Sequence, residues 1–320
     1  MYIKAYVGKY LSIKDNNEIL VTVLVVSYNS AYTILETLNS ISRQDYPRIC
    51  LVIADDCSTD DTVERASIWI ESNKTRFSSV EITVTKKNSG VAINCNNGLK
   101  KATGKYLKLI AGDDILLPGC LTDFVNFCEL NDCKIVFSDA EIISDLSSNH
   151  PVIANVRNYF DEAGRFLNSD YQWQKRKIFE RNYLAAPTAF FSLSLLLYFH
   201  GFDRRFFMED YPFWLKLYSA DIKPAYLEKK LVGYRMHSLQ STSAWNKKLI
   251  NDKFLKQEFL LFIFIQRKVY SLEHLVLKLL DYSVKFMFVF CGNKPYFDWT
   301  YGKYRSVYYK LDKMLSRQKN

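Results

Sequence analysis

Residues 20–26 read Leu-Val-Thr-Val-Leu-Val-Val, an apolar, β-branched run of the kind that fills a buried parallel strand. Polarity returns abruptly at Ser27, Tyr28, Asn29 and Ser30. Ile34, Leu35, Leu38 and Ile41 then recur at helical spacing, with Thr33 and Glu36 placed to form a capping box. The alternation continues. A strand at 49–54 stops at Asp55 and Asp56, and a helix led by Ser58 and Asp61 carries Val63, Ala66 and Ile70 on one face. A strand at 80–85 precedes a helix over about 90–102, with Ala92, Cys95, Leu99 and Ala102 on its inner side. A strand at 106–110 ends in Gly112, Asp113 and Asp114, and residues 134–138 predict a fifth.

Strands and helices alternating at these lengths predict an α/β fold with a largely parallel, Rossmann-like sheet covered by helices. Polar clusters close successive strands at Ser27 to Asn29, Asp55–Asp56 and Asp113–Asp114. Open α/β sheets bind ligands at that end, because the loops converge there and helix N-termini point their amides inward. Residues 147–182 break the pattern; irregular and rich in charge and aromatics, they read as an excursion from the sheet. Apolar character returns over 185–198, and a compact block follows at 201–217. The reading divides the chain into a catalytic region, 18–245, and a helical, basic, aromatic region, 246–320.

The polar clusters carry the candidate chemistry. Asp55 and Asp56 follow a buried strand, where a carboxylate accepts hydrogen bonds from a base or a ribose hydroxyl; helix capping is the alternative for Ser58, Asp60 and Asp61. The adjacent Asp113 and Asp114 repel one another and persist best beside a cation. Hard oxygen ligands there favour Mg²⁺ or Mn²⁺ over Zn²⁺, a solvated turn being the alternative. Glu209 and Asp210 precede Tyr211, Trp214 and Leu215 at a helix start. A carboxylate there either takes a proton from an attacking hydroxyl or complements the helix dipole. Arg235 and His237 suit phosphate or metal, although a lone histidine is more often structural.

These pieces, in this order, resemble the family 2 glycosyltransferases over residues 19–243. The resemblance rests on Val25-Val26-Ser27-Tyr28-Asn29, on residues 40–47 (Ser-Ile-Ser-Arg-Gln-Asp-Tyr-Pro), and on residues 54–62 (Ala-Asp-Asp-Cys-Ser-Thr-Asp-Asp-Thr). It continues through Asn88-Ser89-Gly90, Asn96 and Gly98, Gly112-Asp113-Asp114, Gly201-Phe202-Asp203, Glu209-Asp210 and Tyr234-Arg235-Met236-His237. It implies a GT-A fold and an inverting, metal-dependent transfer of one hexosyl or N-acetylhexosaminyl group from a nucleotide sugar, with a UDP-sugar expected. Asp56 falls where the family recognises the base, beside Ser27, Tyr28 and Asn29; Asp55, Asn88, Asn96, Asp114, Glu209 and Arg235 complete the expected donor site. Asp113 and His237 fall at the metal positions and Asp210 at the catalytic base.

Three departures qualify the match. Ala111 stands at the first position of the family's Asp-x-Asp-Asp, Cys95 stands where many members carry arginine, and the Gln-x-x-Arg-Trp element of processive members is missing. The last favours single-residue transfer.

Composition bounds the rest. A formal net charge of +9 calls for an anionic partner, but no helix–turn–helix or zinc module accompanies it, so nucleic acid is not expected. Two carboxylates flanking a scissile bond, as a glycosidase needs, are not indicated. A nucleotidyltransferase or a non-catalytic sugar-nucleotide binder are the rival classes. Seven cysteines without a C-x-x-C pair indicate reduced thiols and, with a polar N-terminus and no bilayer-length apolar run, a cytoplasmic protein. Residues 294–320 hold seven Lys and Arg against Asp298 and Asp312, interleaved with Tyr, Phe and Trp. That mixture suits an anionic membrane surface holding a glycan or lipid-linked acceptor; the alternative is a helical layer packed on the catalytic region or on a second subunit.

Overall fold

A computed structural model describes residues 18–144, 150–236, 252–266 and 272–290, with 304–308, 310, 311 and 314. Two compact units divide between Met236 and His237.

In the first unit the apolar runs become strands and the intervening amphipathic segments cover them. The order is β1 (Val21–Ser27), α1 (Ile34–Ser42), β2 (Ile49–Asp55), α2 (Thr62–Asn73), β3 (Ser79–Val84), α3 (Val91–Leu99), β4 (Tyr106–Ala111), β5 (Ile115–Leu116) and α4 (Cys120–Asn131). Then come β6 (Ile135–Ser144), α5 (Pro151–Leu167), α6 (Tyr171–Lys177), β7 (Ala189–Ser192), α7 (Leu193–Tyr198), α8 (Asp210–Ser219) and β8 (Ala225–Met236). The sheet has the order β3-β2-β1-β4-β7-β6-β8-β5. β3, β2, β1 and β4 run parallel, as the repeating strand–helix pattern predicts. β7 then pairs antiparallel with both β4 and β6, β6 and β8 are parallel, and β5 closes the far edge antiparallel to β8.

β1 sits between β2 and β4, covered on both faces, and Val21, Val23, Leu24 and Val25 are fully buried. α1 packs Ile34, Leu38 and Ile41 into the same core as Phe124 and Phe190.

The expected capping box at α1 does not form: Thr33 makes no side-chain cap. Its hydroxyl donates instead to the carbonyl of Gly112 across the sheet end, at 2.8 Å. A tertiary acceptor thus displaces the local one. The segment read as irregular is largely helical. Pro151 opens α5 behind His150, whose Nδ1 accepts from the Val152 N–H, and Asp170 caps α6 through the Trp173 N–H at 3.0 Å. Charges on the outer face of α5 hid an inner face of Ile153, Phe160, Ala163 and Leu167.

In the second unit α9 (Asp252–Phe264) and α10 (Leu272–Phe290) pack through Leu255, Phe262 and Tyr282. Among the described residues no helix is long and apolar enough to cross a membrane.

Candidate functional site

The ends of β1, β2 and β4 meet because the backbone there is tied laterally. The N–H of Asp56 donates to the Ser27 carbonyl and that of Gly112 to Val26, each at 2.9 Å. Gly112 permits this approach: a Cβ there would lie 3.1 Å from Ser30 Oγ and 3.2 Å from Ser27 Cβ.

The two carboxylates after β2 divide their tasks. Asp55 is wholly buried and takes hydrogen bonds from the Ser27 hydroxyl, the Ser58 N–H and the Ser58 hydroxyl at 2.6–2.8 Å. Ser58 Oγ in turn accepts the Asn29 N–H, and the Asn29 side-chain oxygen accepts the Thr59 N–H, both at 2.8 Å. Asp55 therefore clamps two loops together. Asn29 and Cys57 adopt positive φ, 51° and 62°, which sharpens those turns. Asp60 performs the helix-start role: its Oδ1 accepts the Thr62 N–H at 3.1 Å.

Asp56 reaches the other way. It accepts the Thr85 hydroxyl and the N–H groups of Ser89 and Gly90 at 2.7–2.9 Å, holding the loop that opens α3. Tyr28 and Asn88 are exposed beside these loops. Asn96 is buried, and both ends of its amide bond the Phe202 backbone at 2.7 and 2.8 Å. It pins the segment leading to Glu209.

Asp113 and Asp114 also differ. Asp114 is buried, and its carboxylate accepts the Arg235 N–H at 2.9 Å. Burial, then the charge of Asp113, pushes its carboxyl well above the ordinary carboxylate range. Asp113 is partly exposed on the turn. The Arg235 guanidinium donates to the Asp113 carbonyl at 2.8 Å and pairs with Glu36, so it braces the turn from β8. His237 lies outside the described residues, and no cluster of three or more His, Cys, Asp or Glu is found among those described. The chemistry would suit a hard cation, with Asp113, a partly exposed residue, as the carboxylate that would hold it, while Asp114 is directed inward.

Glu209 and Asp210 stand at the start of α8. Asp210 Oδ1 accepts the Tyr211 N–H at 2.6 Å and Oδ2 accepts the Asn182 amide at 2.9 Å. Burial holds the Asp210 carboxyl above its ordinary value despite those bonds. Burial, then Asp210, pushes Glu209 up to about 8. Cys95 on α3 is buried, and burial, with Glu209, Asp210 and Asp56 adding to it, pushes its thiol up.

Lys108 and Asn182 escaped the sequence reading. Lys108 is fully buried in β4, donating to the carbonyls of Pro187 and Ala189 and lying 5.5 Å from the Phe124 ring centroid. A charge inside an apolar strand was its signal. Asn182 had none.

The model of the family described as "Glycosyl transferase family 2" matches residues 22–199, more than half of the chain. "UDP-Glc:alpha-D-GlcNAc-diphosphoundecaprenol beta-1,3-glucosyltransferase WfaP" of Escherichia coli is 27% identical, over 73% of this chain and 84% of that one. Staphylococcus aureus TarS 1-349 in complex with UDP-GlcNAc superposes with a TM-score of 0.58 at 19% identity, over 85% of this chain and 73% of that one. Mannosyltransferase PcManGT from Pyrobaculum calidifontis, in complex with GDP-Man and Mn2+, gives 0.56 at 19%, over 82% and 71%. The chain spans 43% of the longer TarS structure. The mixed sheet with its helical cover is the GT-A fold, and the chain belongs to glycosyltransferase family 2.

Proposed function

We propose that the chain transfers one sugar, with inversion, from a UDP-sugar to a hydroxyl of a lipid-linked glycan in surface-polysaccharide synthesis. The observation that carries this reading is the placement of Asp210. Its carboxylate is held at both oxygens at the start of α8, after the segment that Asn96 of α3 pins at Phe202. Asp56 with Ser27, Tyr28, Asn29 and Asn88 would line the nucleotide, while Asp55 and Asn96 hold those loops in place. Asp113 would hold Mn²⁺ or Mg²⁺, the expected metal position His237 lying outside the described residues. A divalent cation bound there would neutralise charge on the diphosphate.

Asp210 takes the proton of the attacking acceptor hydroxyl. A carboxyl raised by burial is a stronger base than one in water, which suits that task. No covalent enzyme intermediate is required. WfaP, by its name, joins glucose to a GlcNAc-diphosphoundecaprenol, which supports a lipid-linked acceptor here. Exposed Leu272, Val276, Leu280, Met287 and Phe290 along α10 support peripheral association of the second unit with an anionic membrane. Most of the basic aromatic tail read from the sequence lies outside the described residues.

The test is a panel of UDP-, GDP- and TDP-sugars with an α-GlcNAc-diphosphate lipid, with Mn²⁺ or with chelator. Nucleoside diphosphate released from one UDP-sugar only in the presence of metal is the expected result. Pyrophosphate release would mean nucleotidyl transfer, and metal-independent turnover would remove the role of Asp113.

A further inference from the structure

We infer that Asn182 is a positioning residue for the transfer reaction, holding the Asp210 carboxylate in its reactive orientation; this rests on Asp210 being the base. The Asn182 side chain is anchored at one end, where its oxygen accepts the Leu184 N–H at 3.0 Å. At the other end its amide nitrogen donates to Asp210 Oδ2 at 2.9 Å. The side chain therefore bridges the loop after α6 and the start of α8. Because its acceptor end is already engaged, the amide cannot turn over and present oxygen to the carboxylate without losing both bonds.

The consequence follows from the charge of the partner. An amide N–H favours the ionised form of Asp210, against burial, which favours the neutral form. The other ionisable neighbours do not replace it. Glu209 precedes Asp210 in the chain and offers no cation, its own carboxyl being pushed up to about 8 by burial. Cys95 contributes a buried thiol from α3. Tyr159 on α5 feels Asp210 together with Tyr234, Arg181 and Glu162, and Arg181 is itself paired with Glu162. Asn182 is thus a neutral donor at a position where a cation would pair with the base and a carboxylate would repel it.

The experiment follows the Asp210 carboxyl directly, by ¹³C NMR of aspartate-labelled protein with Asp210→Asn to assign the signal. In Asn182→Ala the Asp210 pKa is expected to rise by about one unit, and in Asn182→Asp by more. Asn182→Asp retains an acceptor for Leu184, so it remains informative if the alanine variant folds poorly. UDP release from UDP-glucose and UDP-GlcNAc should show the acid limb of kcat moving to higher pH by the same step. kcat near pH 7 should fall about tenfold, with donor KM within about twofold. An unmoved Asp210 pKa in both variants would overturn the inference while leaving the base assignment standing. Full turnover by Asp210→Asn would take down both.

Discussion

The Arg235 backbone N–H meets the buried Asp114 carboxylate at 2.9 Å, while the same residue's guanidinium holds the neighbouring Asp113 carbonyl at 2.8 Å. One residue at the end of β8 thereby ties the whole acidic turn to the sheet and directs Asp114 inward, with Asp113 left partly exposed. Arg235→Ala keeps the backbone contact but removes the brace and leaves Glu36 without its ion pair. On the proposed metal role, the Mn²⁺ concentration for half-maximal activity should rise about tenfold. The cost to stability should stay near 1 kcal/mol, since the pair with Glu36 is half exposed. A metal titration of activity beside a thermal melt separates the two effects.

Asp210→Asn preserves shape and removes the proton acceptor. Turnover should drop by about 10² or more, the usual contribution of a positioned general base. UDP affinity by calorimetry should change less than about threefold. Loss of binding together with turnover would instead mark Asp210 as part of the donor pocket.

Glu209 predicts a pH dependence of stability. Its folded-state pKa of about 8 exceeds that of an unfolded glutamate, roughly 4.3. Between those values the folded form retains a proton that the unfolded form has released, so stability falls as pH rises through that window and levels off above about 8. Glu209→Gln should flatten the part of that decline due to Glu209. Melting temperatures of both proteins from pH 5 to pH 9 measure the difference, and parallel curves would exclude it.

Much of this was legible in the sequence, for definite physical reasons. The run ending at Ser27 could be read because β1 is covered on both faces and so has no polar alternation. The carboxylates at Asp56 and Asp113 could be picked out because they follow strand ends, and Asp210 because it opens a helix. What could not be read depends on contacts distant in the chain. Nothing near Thr33 shows that its hydroxyl would bond Gly112, 79 residues away. Nothing near Asn182 shows an aspartate 28 residues on. Asp55 and Asp56 are chemically alike, and strand alternation alone turns one into the loop clamp and the other toward α3. Arg235 looked like a phosphate ligand, and its guanidinium lies on the Asp113 carbonyl and Glu36.

Gly201 predicts a stability effect remote from any reacting atom. Its φ is +73°, and an added Cβ would lie 2.2 Å from Asn96 Oδ1, the atom that accepts the Phe202 N–H. Gly201→Ala would both strain the backbone and dislodge Asn96. A loss of roughly 2–4 kcal/mol is expected, seen as a melting temperature lower by about 5–10 °C.

Lys108 sets two effects against each other. Burial lowers its pKa to about 8, so the folded protein holds this charge at neutral pH in a site that resists it. The charge persists because the carbonyls of Pro187 and Ala189, just before and at the start of β7, accept from it. Lys108→Met fills the space but leaves both carbonyls without this donor, and Lys108→Ala adds a cavity. A loss of about 1–3 kcal/mol is expected for methionine, and about 2 kcal/mol more for alanine. Chemical denaturation at pH 7 tests this order. A methionine variant as stable as the parent would mean that the desolvation cost of the lysine cancels its hydrogen bonds, as happens when buried ion pairs are replaced by apolar groups.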